Sequence, residues 1–186
     1  ASHAARAMAE AWIARAGAEA EALPAPGFAR ALAEAGGDPG RIAAEFGADP
    51  VAVMRRIALW PGARAGAVVC DGSGRLVFRK PVEGFVLPRH GAGCALWPLY
   101  AALTRPMTPV RAVVEMAGRV PRRFAVQAIA VVRHPQGFAG PQVVEAAMLI
   151  EPADPGAGPG LPVGPTCRIC PRGDCPARAE PSLVSG

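Results

Sequence analysis

An α+β fold is predicted for this 186-residue chain: N-terminal helices, then an antiparallel sheet with one packed helix, then a cysteine-rich metal knot. Three observations carry that prediction. Up to Trp60, apolar residues recur every three or four positions and Asp-Pro pairs punctuate them. After Trp60-Pro61-Gly62 the recurrence shortens to every second position. Finally, Cys167, Cys170 and Cys175 fall within nine residues of a Pro/Gly-rich tail. The implied divisions are a helical segment at 1–62, a sensor-like α+β domain at 63–153, and a linker with a metal-binding tail at 154–186.

The first helix is read from Met8, Trp12, Ile13 and Ala16, with Arg6, Glu10, Arg15 and Glu19 on its other faces, and it ends before Pro24 and Pro26. A short helix around Phe28 and Leu32 stops at Gly36-Gly37. Asp38-Pro39 and Asp49-Pro50 each open a helix, because Asp caps the free N–H groups and Pro suits the first helical position. The turn between them, Phe46-Gly47-Ala48, gives the pair helix-turn-helix spacing, with Arg55 and Arg56 as candidate DNA contacts. Against that, Ala, Val and Met fill most of the second helix and few side chains there can read base edges. A plain helix pair with a local core of Ile42, Phe46, Val53 and Ile57 is the preferred reading.

Beyond Gly62, Ala67–Cys70 and Leu76–Arg79 flank an Asp71-Gly72-Ser73-Gly74 turn and read as a β-hairpin. A helix is expected from Cys94 to Thr104, with Pro98 tolerated in its first turn, followed by strands at Val110–Met116, Phe124–Val132 and Val143–Ile150. Pro155–Gly160 reads as a linker. One helix across an antiparallel sheet is the economical packing, PAS- or GAF-like by analogy, and a small ligand fits the helix–sheet gap.

Composition bounds the function. The net charge of +5 is spread along the chain, and nineteen of the twenty basic residues are Arg, so no dense basic run marks a nucleic-acid face. The sequence has no membrane-length apolar run and no secretory signal, and clustered cysteines fit a reducing compartment, so the cytoplasm is expected. Lacking an initiator Met, the chain reads as processed or as a piece of something longer. No H-E-x-x-H, nucleophile elbow or phosphate cradle is present, and the expectation is that it is not an enzyme.

The chemistry sits in the cysteines. Cys167 and Cys170, two residues apart, suit one ion; Cys175 follows a Pro-Arg-Gly-Asp turn, and Cys94 is the best fourth ligand, with His90 its rival. Zinc is the first expectation and a 4Fe-4S cluster the alternative, because both accept four thiolates. Free or disulfide-linked thiols compete with the metal reading. Cys70 reads as a small buried apolar residue. For a ligand in the gap, Trp97, Tyr100, Phe124 and Val126 are apolar candidates, and Arg79, Lys80, Arg89, Arg122 and Arg123 are candidates for its anionic part.

The segments Gly93-Cys94-Ala95-Leu96-Trp97-Pro98-Leu99 and Pro162–Pro181, with its cysteines and Arg168, Arg172 and Arg178, resemble the C-terminal domain of the short-chain fatty acyl transcriptional regulators. The resemblance runs from about Ile42 to Pro181, strongest in the tail. It implies a cytoplasmic bacterial regulator whose C-terminal domain senses short-chain acyl-CoA or a related metabolite. Residues Ile42–Trp60 resemble the helical end of that family's metallopeptidase-like middle domain, not its DNA reader. The peptidase motif and the N-terminal DNA-binding domain have no counterpart in this sequence, so DNA contact is expected only through another domain or partner. A homodimer is compatible with a regulator. The competing class is an iron–sulfur or thiol-redox sensor built on the same cysteines.

Overall fold

A computed structural model describes residues 2–184. The chain divides into two compact units, one up to Ile57 and one from Ala58 onward. The first holds α1 (His3–Ala22), α2 (Ala25–Glu34), α3 (Pro39–Phe46) and most of α4 (Pro50–Leu59). Asp38 caps α3 by accepting from the backbone N–H of Gly40 at 2.9 Å and of Arg41 at 3.2 Å. Asp49 does the same for α4 through Val51 at 2.7 Å. Pro26 lies in the first turn of α2 and does not end a helix. Ile42, Val53 and Ile57 are buried and Phe46 is half-buried, with the Phe46 and Phe28 rings 6.4 Å apart.

Met8, Trp12 and Ile13 do not form a buried stripe; α1 has no buried residue. Alanine at ten of its twenty positions supplies helix propensity without large apolar side chains to anchor a face. The arginines of α4 are not presented to a groove either. Arg55 is buried against Glu19, and the Arg56 guanidinium lies 5.9 Å from the Phe28 ring centroid. This supports the packed helix pair over a DNA reader.

The second unit is a six-stranded sheet: β1 (Gly66–Asp71), β2 (Leu76–Lys80), β3 (Val110–Met116), β4 (Arg122–Arg133), β5 (Val143–Pro152) and β6 (Leu161–Val163), in spatial order β2-β1-β5-β4-β3-β6. The hairpin turn is held by Asp71, whose carboxylate accepts from the backbone and hydroxyl of Ser73 at 3.0 and 2.6 Å. That hydrogen bonding, foremost from Ser73, keeps the Asp71 carboxyl below its ordinary range. One helix, α5 (Pro98–Leu103), crosses a face. Along the strands, alternate residues such as Val68, Val126, Ala128, Met148 and Ile150 turn to that face and pack with Leu99 and Ala102 of α5.

The sheet and the start of α5 differ from what was expected. The sheet is mixed, not antiparallel, because β6 runs parallel to β3 with Val114, Glu115 and Met116 opposite Leu161, Pro162 and Val163. Pro162 is tolerated there because β6 is an edge. Helix α5 begins at Pro98, not Cys94: proline suits its first position, and Cys94–Trp97 form a turn closed by the Trp97 N–H on the Cys94 carbonyl at 2.9 Å. The cysteine tail belongs with the sheet unit and includes a short 3₁₀ turn (Cys167–Ile169) held by backbone hydrogen bonds.

Candidate effector groove and cysteine tail

Trp97 organises one end of the α5-covered core. It is 1% exposed, with its ring 5.3 Å from Phe85, which stands edge-on to Phe124 at 5.2 Å. The indole N–H donates to the Gly164 carbonyl at 2.8 Å, so the tail is tied to the helix start through a buried bond. Gly93 and Gly164 complete this junction by having no side chain. A Cβ on Gly93 would lie 2.2 Å from the Trp97 ring, and one on Gly164 would lie 2.5 Å from Cys170 Sγ. Cys94 and Cys170, both buried, therefore flank the same Trp97–Gly164 link.

Tyr100 is equally committed. Its hydroxyl accepts from the Gly93 N–H at 2.7 Å and donates to the Gly74 carbonyl at 3.2 Å. Burial pushes the phenol above its ordinary value. Trp97 thus lies in the core and Tyr100 packs against it, each with its polar atom bonded to backbone.

The tail itself is gathered by Arg178. Its guanidinium donates to the carbonyls of Cys167 at 3.2 Å, Glu180 at 3.2 Å and Cys170 at 3.5 Å, and to that of Arg172. Arg172 in turn reaches the Pro162 carbonyl of β6 at 2.7 Å, and Cys167 Sγ accepts from the Ala179 N–H at 3.4 Å. The donor chemistry of Cys94, Cys167, Cys170 and Cys175 suits zinc or an iron–sulfur cluster. Among the described residues, however, no three His, Cys, Asp or Glu side chains are gathered as a ligand group. Hydrogen bonding at Arg178 and Trp97 gives the turn its form.

Cys70 lies in the α5-side core, and burial pushes its thiol up to about 11 from an ordinary value near 9. The thiolate, the reactive form, is therefore scarce. We expect Cys70 to resist iodoacetamide in native protein at pH 8 while unfolded protein reacts at all five cysteines, as peptide mapping would show. The sign for stability is a loss as pH rises from about 9 to 11, because the unfolded thiol ionises first.

The cationic candidates collect elsewhere. At one end of the sheet, where β1 and β4 begin and β2 and β5 finish, an open groove of about 550 Å³ is lined by Arg64, Lys80, Glu83, Arg122, Arg123 and Asp154, with Phe124 and the Pro152–Pro155 backbone. That volume is in the range of small-ligand sites. Lys80 Nζ donates to the Ala65 carbonyl at 2.7 Å, and Arg123 binds the carbonyls of Pro155, Ala157 and Gly158, which shapes one wall. Arg122 pairs with Glu83 at 2.8 Å. Of the predicted ligand residues, then, Arg122 and Arg123 line the groove while Trp97 and Tyr100 lie in the core. Arg79 is turned to the carbonyls of Pro88 and Gly91. Sequence reasoning missed Arg64, Glu83 and Phe85, and named Arg178 only as part of the tail motif without its role; only the Gly-Phe pair at 84–85 hinted at a tight turn onto an aromatic.

Comparison with known proteins now has a site to attach to. Residues 67–185, more than half of the chain, match the model of the family "Short-chain fatty acyl coenzyme A regulator, C-terminal". The chain belongs to this family. Over 96% of its length it is similar, at 29% identity, to a propionyl-CoA carboxylase regulator from Cereibacter sphaeroides, of which it spans 42%. A solved Mycobacterium tuberculosis transcriptional regulator superposes with a TM-score of 0.77 at 26% identity, covering all of this chain and 61% of that one. Both relatives are regulators, and each extends well beyond what is present in this chain. Membership of the short-chain acyl-CoA regulator family identifies a regulatory protein, not an enzyme, and the solved regulator shares its α+β fold. Among the described residues no helix is long and apolar enough to cross a membrane.

Proposed function

We propose that the chain is the effector domain of a bacterial transcriptional regulator and responds to a short-chain acyl-CoA or a closely related metabolite. The observation that carries this reading is the sheet-end groove, where Arg64, Lys80, Arg122 and Arg123 meet beside the apolar Phe124. Guanidinium groups are well matched to the phosphates of such a ligand. The strand order β2-β1-β5-β4-β3 with a helix between β2 and β3 supports a PAS/GAF-like analogy, at the level of fold alone. On this reading the protein works in the cytoplasm, and another domain or a partner chain supplies DNA contact. A homodimer is the proposed state of the full regulator.

Calorimetry tests it. Propionyl-CoA and acetyl-CoA are expected to bind, with Arg64→Ala weakening binding about tenfold, the loss of one charge-assisted phosphate contact. No heat with any short acyl-CoA at high protein concentration removes the reading.

We further propose that Cys94, Cys167, Cys170 and Cys175 hold a structural ion, zinc first. Its support is the all-thiolate donor set and the shared position of Cys94 and Cys170 at the Trp97–Gly164 link. When bound, such an ion would fasten the tail to the α5 start. The C-x2-C-x4-C spacing keeps an iron–sulfur redox sensor as the alternative. Elemental analysis with an absorption spectrum, on protein purified without air, separates them. One zinc and no colour supports the staple, iron with a broad violet band supports the sensor, and neither metal ends both.

A further inference from the structure

We infer that Glu83 is a built-in occupant of the anion seat at Arg122, displaced when the ligand's anionic group arrives. This rests on the groove reading above and adds to it a residue that sets the threshold for binding.

Glu83 stands on a four-residue turn, Val82–Phe85, closed by the Phe85 N–H on the Val82 carbonyl at 3.2 Å and anchored by the buried Phe85 ring. Gly84 takes φ +85°, and a Cβ there would lie 2.4 Å from Arg122 Cδ. Arg122 can therefore lie flat across the turn only because residue 84 is glycine. Its guanidinium then meets the Glu83 carboxylate at 2.8 Å on the lip of the groove. Turn and arginine fit one another, which a chance surface pairing would not require.

The neighbouring cations differ from Arg122. Lys80 and Arg123 spend donors on backbone carbonyls and so build the walls. Arg122 instead holds an exchangeable anion: both side chains are well exposed, at 51% and 87%. An exposed pair of this kind is weakly held, whereas a phosphate can take the guanidinium in a bidentate grip. Exchange of Glu83 for phosphate is then favourable, yet each ligand must first overcome the resident carboxylate. The Glu83 carboxyl is held below its ordinary range, first by the Arg122 hydrogen bond, then by its charge and more weakly by Arg64, so it stays ionised as a competitor.

Inorganic pyrophosphate and propionyl-CoA serve as probes, titrated into wild type, Glu83→Gln, Asp154→Asn and Arg122→Ala. Glu83→Gln keeps the length and a hydrogen-bonding oxygen but drops the charge. It is expected to tighten pyrophosphate binding about two- to fivefold, the upper range set by losing an exposed ion pair. Asp154→Asn removes a charge from the same groove without freeing Arg122 and is expected to change affinity by less than half that factor. Combining Arg122→Ala with Glu83→Gln should erase the gain. Equal gains for the two acidic variants would reduce Glu83 to a contributor to the general field and overturn the inference, as would unchanged or weaker binding by Glu83→Gln. If wild type and all variants bind neither probe, the groove reading fails, and with it this one. Glu83 is exposed, so folding is not at stake in its substitution.

Discussion

Replacing Trp97 by Ala is expected to cost about 3–5 kcal/mol and to release the tail from Leu161 onward. The side chain is almost wholly buried, lies against Phe85 and Gly93, and donates a buried hydrogen bond to the tail carbonyl of Gly164. Its loss leaves a cavity and an unsatisfied carbonyl together. Trp97→Phe separates the two effects: much of the ring packing survives but the N–H is gone, at a cost of about 1–3 kcal/mol. Hydrogen exchange reads the result directly. Faster exchange at Ala117, whose N–H is bonded to Val163 at 2.8 Å, marks detachment of β6. Full protection of Ala117 in Trp97→Ala would show that the tail does not depend on this link. The same experiment bears on the metal proposal, because an ion that alone held the tail would keep it protected in the variant.

The second large effect is expected in the helical unit. Arg55→Ala should destabilise it by about 3 kcal/mol, because it strands the Glu19 carboxylate that both Nε, at 3.3 Å, and Nη2 now satisfy. Arg55 is 3% exposed and Glu19 retains some solvent access, which keeps the expected loss at the lower end for such pairs. Removing Glu19 as well should return part of that energy, since the stranded charge goes with it. With two units in the chain, a single melting temperature is a poor measure. Local exchange at α1 and α4 is the suitable readout, and unchanged rates there would count against the pair. The consequence for function is direct: Arg55, which helix-turn-helix spacing offered to DNA, is a structural residue.

Much of the architecture was legible residue by residue. Asp38 and Asp49 cap the helices they were expected to cap, and β3 runs over the expected Val110–Met116. Both signals are local: a carboxylate reaching N–H groups two or three residues on, and alternation that places every second residue on the α5 face. Cys70 was recognisable as core from its place at the end of the unbroken apolar run Ala67–Cys70. What stayed hidden depended on partners far along the chain. Strand β6 has three residues and a proline, too little pattern to announce a ladder, and it exists because β3 offers an open edge. Arg178 looks like any tail arginine until four carbonyls converge on it. The exposed side chains of α1 went unforeseen because spacing marks a helix face but not whether anything covers it.

The sequence by itself determined the α+β class, the order of helices and strands as far as β5, and the family, through capping chemistry, periodicity and a cysteine-tail motif that are all short-range. Only the tertiary structure decided where the arginines act. Arg55 is sealed in a pair, while Arg122 and Arg123 join Arg64 and Lys80 at one sheet end, brought there from three strand termini by antiparallel pairing. It also decided the partners of Trp97 and Tyr100, whose polar atoms bond the backbone of Gly164, and of Gly93 and Gly74, respectively. Charge and aromaticity are properties of residues; whether they face a ligand or each other is set by which strands pair.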